Sequence, residues 1–132
     1  MSAFTTLVLT DRQAAPIDHT FVPVSRETGV AEWSESDGTP LGDNKVTASV
    51  RRAANDKFKA RIKLAIPVTA IETVNGIALT KVVRTGYADL TFTFDSSSTQ
   101  EERDDLVGMA ADALASDTTQ LNALLVNLQS VY

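Results

Sequence analysis

Apolar and polar residues alternate along three stretches of the chain, broken only at Ala65. In residues 45–51 the odd positions are Lys45, Thr47, Ser49 and Arg51, against Val46, Ala48 and Val50. In residues 59–66 Lys59, Arg61 and Lys63 alternate with Ala60, Ile62, Leu64 and Ile66. In residues 87–94 Tyr87, Asp89, Thr91 and Thr93 alternate with Ala88, Leu90, Phe92 and Phe94. A period of two belongs to a strand buried on one side, because successive side chains leave opposite faces of a sheet. Shorter strands are predicted at 5–10, 19–25 and 29–34, the first two joined as a hairpin by a turn-like stretch with Pro16 and Asp18. Residues 36–44 carry loop chemistry, and Asn75-Gly76 is a strong hairpin-turn signal leading into a strand at 79–85.

The period changes near residue 98. Ser98-Thr99-Gln100-Glu101 fits a capping box, and Glu101, Glu102, Asp104 and Asp105 crowd the first turns, where the helix dipole favours negative charge. Leu106, Ala110, Ala113 and Leu114 then recur at helical spacing. Asp117 or Thr118 can start a second helix with Leu121, Leu124, Leu125 and Leu128 on one stripe. The chain shows no internal repeat, low-complexity tract or linker. The predicted plan is α+β: one antiparallel sheet followed by two amphipathic helices.

Composition narrows the function more than the fold. With 132 residues, 43% apolar and 22% charged, the chain reads as one globular domain. No apolar run approaches the ~20 residues that cross a bilayer, and MSAFTTLVLTDR lacks the basic and apolar regions of a secretory signal, so no membrane partner is expected. The absence of Cys excludes disulfides and thiolate metal sites. A net charge of −5 argues against a general polyanion binder unless positive charge is segregated. It is segregated: residues 45–67 hold seven of the twelve Lys and Arg and a single acid, Asp56.

If the alternating strands share a sheet, one face is apolar and the other is a cationic floor with small hydroxyls and one aromatic ring. Two readings compete for that floor. It is a solvated outer face, with cations protecting edges and aiding solubility, or it is a nucleic-acid surface. In the second reading cations neutralise phosphates, hydroxyls donate to phosphate or base edges, and Tyr87 stacks on an unpaired base.

No active site is expected. Capping and dipole explain the carboxylates at the helix start, and His19 has no nucleophile or ligand beside it in sequence, so a surface or hydrogen-bonded role fits it better than catalysis. P-loop, GxGxxG and nucleophile-elbow patterns are missing. Trp33 and the Phe residues read as packing groups. Neither a cofactor, a metal nor a small-molecule substrate is implied.

Seven blocks in order give the chain a family likeness. GVAEW at 29–33, KVTASVR at 45–51, Lys59 and Lys63 before Pro67, ETVNG at 72–76, YADLTFTF at 87–94, TQEER at 99–103 and the closing LNALLVNLQSVY resemble the coat proteins of single-stranded RNA bacteriophages, the leviviruses. The last two blocks are similar to the Q-beta branch and its Pseudomonas-phage relatives, while GVAEW and KVTASVR are closer to the other coliphage branch. The resemblance implies a single coat-protein domain over 1–132: an N-terminal hairpin (about 1–27), a five-stranded antiparallel sheet (28–95) and two helices (98–132) that clasp a second subunit. It further implies a homodimer with a continuous ten-stranded sheet lining an icosahedral shell, assembled in the host bacterial cytoplasm and ending in the virion.

Its implied partners are genomic RNA and an operator hairpin at the replicase start, whose binding represses translation. Carried over by position, the RNA-contact candidates are Val30, Thr47, Ser49, Arg51, Arg61, Lys63, Tyr87 and Asp89, with Lys45 and Lys59 at flanking phosphates. Val30, Thr47, Ser49 and Lys63 would pocket an unpaired adenine, Tyr87 would stack on a loop base, and Asp89 would accept from a base amino group or approach a ribose hydroxyl. Arg61 stands where the coliphage proteins carry Thr or Gln, which narrows that pocket or replaces it by a phosphate contact; Asp89 matches the Q-beta type. Residues 68–82 correspond to the loop that meets at the shell's symmetry axes, without the cysteines of Q-beta. The alternative is a cellular RNA-binding domain with a basic sheet platform and no shell; a small hydrolase using scattered carboxylates is more remote.

Overall fold

The computed structural model describes residues 4–36 and 40–130. They form two compact units, one ending at Thr93 and one beginning at Phe94. The first is a six-stranded meander whose strands lie in chain order: β1 (Leu7–Thr10), β2 (Asp18–Ser25), β3 (Val30–Glu35), β4 (Asn44–Ala53), β5 (Lys57–Val74) and β6 (Ile77–Asp95). Turn chemistry sets the longest hairpins. Asn75 and Gly76 both have positive φ, 52° and 78°, as a two-residue turn between twisted strands requires. Asn55 and Asp56, at 63° and 54°, reverse the chain between β4 and β5, and short polar side chains tolerate that conformation.

Three expectations need correcting. Residues 79–85 and 87–94 are one strand, because a lone Gly86 without a second turn residue does not reverse the chain, and it is not among the positive-φ glycines. Residues 68–82 are not a loop: β5 runs to Val74 and β6 starts at Ile77. The strands number six rather than five: β1 and β2 form the expected N-terminal hairpin, and the far half of β2 goes on to pair with β3. A register shift at Val24, between Pro23 and Ser25, sits next to the proline that cannot donate to the ladder. Of the expected loop at 36–44, residues 37–39 lie outside the described residues, and Pro40–Gly42 is a 3-10 turn.

The core of the first unit is small. Among the described residues only Phe21 and Val46 are buried hydrophobics. Val46 sits in register between Trp33 on β3 and Leu64 on β5. Trp33 packs edge-on against Phe4 at 5.3 Å and donates its indole N–H to the Thr5 carbonyl at 2.8 Å, tying the N-terminal segment to the sheet. The packing role expected of Trp33 holds.

His19 makes a second tie. Its Nε2 lies 2.8 Å from Asp11 Oδ2 and its Nδ1 2.9 Å from Glu35 Oε1, so both ring nitrogens face carboxylates. Both must carry protons to donate, and the hydrogen bonds to Asp11 and then Glu35 raise the imidazole pKa. Asp11 is held below the usual carboxylate range first by its bond from His19. Burial pushes Glu35 up, but the bonds from His19 and Asn44 outweigh it and leave the group lowered. The hydrogen-bonded role expected of His19 is the observed one.

The second unit holds α1 (Gln100–Ala113) and α2 (Thr119–Val126). Its capping box lies one residue later than expected. Thr99 Oγ1 accepts from the Glu102 N–H and Glu102 answers the Thr99 N–H, both at 3.2 Å. The Ser98 hydroxyl is engaged elsewhere, donating to the Asp95 carbonyl at 2.7 Å and accepting from Arg103 Nη1 at 3.0 Å. Thr118 is the N-cap of α2, but its hydroxyl donates back to the Asp112 carbonyl instead of capping.

Candidate nucleic-acid interface

Residues directly paired across antiparallel strands project to the same face, so register decides which side chains share a surface. Val30 on β3 pairs with Ser49 on β4, which pairs with Arg61 on β5. The next row is Glu32, Thr47 and Lys63, and the one beyond is Ser34, Lys45 and Ala65. Toward the β4–β5 turn, Arg51 stands opposite Lys59. Arg61 reaches Asp89 on β6, and Tyr87 lies one same-face step away at 80% exposure. Every one of the ten predicted residues is on this floor.

The floor has two shallow clefts. One, about 370 Å³, is lined by Lys45, Thr47, Lys63, Tyr87 and Asp89 with Ala65 and Ala88. The other, about 470 Å³, is lined by Val30, Ser49, Arg51, Lys59 and Arg61 with Thr91. The four expected pocket residues are therefore split: Val30 and Ser49 border one cleft, Thr47 and Lys63 the other.

Among the described residues, Lys45, Arg51, Lys59 and Lys63 have no carboxylate within salt-bridge distance. Arg61 differs. Its guanidinium meets Asp89 through two donors, Nε to Oδ1 at 3.0 Å and Nη2 to Oδ2 at 2.5 Å. That hydrogen-bonded fork, with the charges of Arg61 and Lys63, holds the Asp89 carboxyl below its ordinary range and raises Arg61. This pairing was not expected, because Arg61 and Asp89 are far apart in sequence. Glu32 is a second omission: its place opposite Thr47 puts an acid on the floor. Thr91 was legible from the odd-position rule along β6.

The opposite face is different in kind. Val46, Ala48, Val50, Ala60, Ile62 and Leu64 fall there by register. Arg52 is the exception, lying 5.6 Å from the Phe58 ring and 3.4 Å from Asp56 at the rim.

The Levivirus coat protein family model matches residues 2–132. The capsid protein of Pseudomonas phage PRR1 is 47% identical over 126 residues, spanning 96% of each chain. The capsid protein of Qbeta virus strain MX1 is 34% identical over 111 residues, 83% of this chain and 80% of that one. Among solved structures, the virus-like particle of bacteriophage NT-214 superposes with a TM-score of 0.87 at 25% identity, over 99% of this chain and 100% of that one. The capsid protein of bacteriophage GA superposes with a TM-score of 0.79 at 27% identity, over 94% of this chain and 95% of that one. With strands and helices alike inside the matched span, the chain belongs to the levivirus coat protein family.

Proposed function

We propose that this chain is the structural coat protein of a single-stranded RNA phage: it dimerises, closes into an icosahedral shell around genomic RNA, and represses replicase translation by binding an operator hairpin. The observation that carries the RNA part is Arg51 directly opposite Lys59, on the same face as Lys45 and Lys63, none of the four in a salt bridge among the described residues. Like charges directly opposite destabilise a sheet, and edge protection needs no such pair. A bound polyanion removes the repulsion. Lys45, Arg51, Lys59 and Lys63 meet phosphates, Thr47 and Ser49 donate to phosphate or base edges, Val30 offers an apolar wall, and Tyr87 stacks on an unpaired base. Arg61 and Asp89 stand between the two clefts.

Three observations support a second copy of the chain as the cover for the apolar surface. Few apolar residues are buried within one chain, and Leu121, Leu124 and Leu125 of α2 are exposed together. Of the two edge strands, β6 is 19 residues long and bonded to β5 alone, and a long open edge is a template for pairing with another chain. The family match over 2–132 supports one coat-protein domain, and the NT-214 particle supports a closed shell. Particles would assemble in the bacterial cytoplasm and persist as the virion.

The test is expression in bacteria followed by size exclusion, nuclease treatment and negative-stain microscopy. Uniform closed particles holding nuclease-protected RNA are expected. A small protein without RNA, or RNA binding without particles, would overturn the shell.

A further inference from the structure

Arg61 and Asp89 mark the boundary between the two clefts, Asp89 lining one and Arg61 the other. The two-donor contact engages both carboxylate oxygens with one guanidinium, and Thr91 Oγ1 lies 3.4 Å from Oδ1. A bidentate pair fixes orientation as well as charge. Its net charge is zero, whereas Lys45, Arg51, Lys59 and Lys63 around it form no salt bridge among the described residues, Lys63 acting on Asp89 only at longer range.

We propose that Asp89 masks Arg61 from RNA, so that the two act as a neutral ridge and backbone phosphates are met by the lysines and Arg51 on either side of it. The inference rests on the RNA-binding reading of this floor and makes Asp89 a determinant of specificity. Phosphate contacts supply most sequence-independent affinity, so masking one cation lowers attraction to any RNA while leaving the flanking clefts to select the right one. It also revises the part expected of Arg61: the residue adds no phosphate contact while its partner is in place.

Salt dependence of binding counts phosphate contacts. The full-length protein is titrated with a labelled oligouridylate over a range of salt, below the concentration at which light scattering detects particles. Asp89→Asn keeps the side-chain shape but releases Arg61, and is expected to steepen the log–log slope by about 0.7, one single-strand contact. Adding Arg61→Gln to that variant is expected to abolish the steepening. Asp89→Ser serves as a second release variant, with circular dichroism to verify folding of each.

The masking is overturned if both release variants run parallel to wild type. It is equally overturned if wild type is already steeper than the double variant by one contact, because Arg61 would then reach phosphate with Asp89 in place. Lys63→Ala is the separate control. If it leaves the slope unchanged, or wild type shows no salt-dependent binding, the RNA reading of the floor fails and the masking falls with it.

Discussion

Val46→Ala and Val50→Ala remove the same two methyl groups from the same face of β4, yet their surroundings differ. Val46 is 2% exposed, between Trp33 and Leu64, while Val50 is 69% exposed in the single chain. At about 0.8 kcal/mol per buried methylene-sized group, Val46→Ala loses about 1.6 kcal/mol of transfer energy, and an unrelaxed cavity takes the total to about 2–3 kcal/mol. Val50 has roughly a third of its surface shielded within one chain, so the same measure gives about 0.5 kcal/mol. Covering by a second copy brings Val50→Ala close to the Val46 figure, and the loss then appears as weaker subunit association. The assay is urea unfolding of disassembled protein, followed by circular dichroism at several protein concentrations. Val46→Ala should lower the midpoint throughout; Val50→Ala should lower it comparably, and the wild-type midpoint should rise with concentration. A Val46→Ala loss below about 0.5 kcal/mol would refute the small core centred on that residue, since even partial collapse of the site leaves the transfer term. A Val50→Ala loss near 0.5 kcal/mol with concentration-independent midpoints would refute the second copy on this face.

Arg51→Ala should flatten the salt dependence of RNA binding by about 0.7 in log–log slope while leaving the melting temperature of RNA-free protein unchanged or higher, because it relieves the opposition to Lys59. Lower stability without RNA would contradict that account. Tyr87→Ala should weaken binding of a hairpin with an unpaired loop base by about 1–3 kcal/mol, measured by filter binding, and equal affinity would remove the ring from the interface. His19 is the only histidine, so its NMR titration is a single signal, expected with a midpoint above the ordinary value of 6.5 because Asp11 and Glu35 hold the imidazolium. Its stabilising effect is complete below the unfolded pKa and is lost as pH rises through the higher folded one, whereas the lowered Asp11 and Glu35 lose theirs as pH falls through their folded values. A midpoint at or below 6.5 would undo the tie between the β1–β2 hairpin and β3. Particle melting should not respond to a reducing agent, since the chain has no cysteine to form a disulfide; a shift of several degrees would be contrary.

The residues that specify their own local backbone were legible directly. Asn75-Gly76 marks its turn because only certain residues accept positive φ without strain, and the run of acids announces the start of α1. Alternation in residues 45–51, 59–66 and 87–94 was enough to group nine of the ten floor residues, because a register that keeps the apolar sides of neighbouring strands together also keeps their polar sides together; Val30 lies outside those stretches and came from the family resemblance. The absence of catalytic motifs likewise agrees with membership in a coat protein family.

What parity leaves open is which residue stands opposite which, and that depends on contacts between distant strands. Only the folded sheet sets Arg51 against Lys59, brings Asp89 onto Arg61 across 28 residues of chain, places Glu32 on the floor and encloses His19 between two acids. The same holds for strand length: Gly86 looks like punctuation in the sequence, but β6 runs through it without a break from Ile77 to Asp95, next to β5. Local preference acts within a few residues. Charge neutralisation and strand continuity are decided by neighbours that only the tertiary fold brings together.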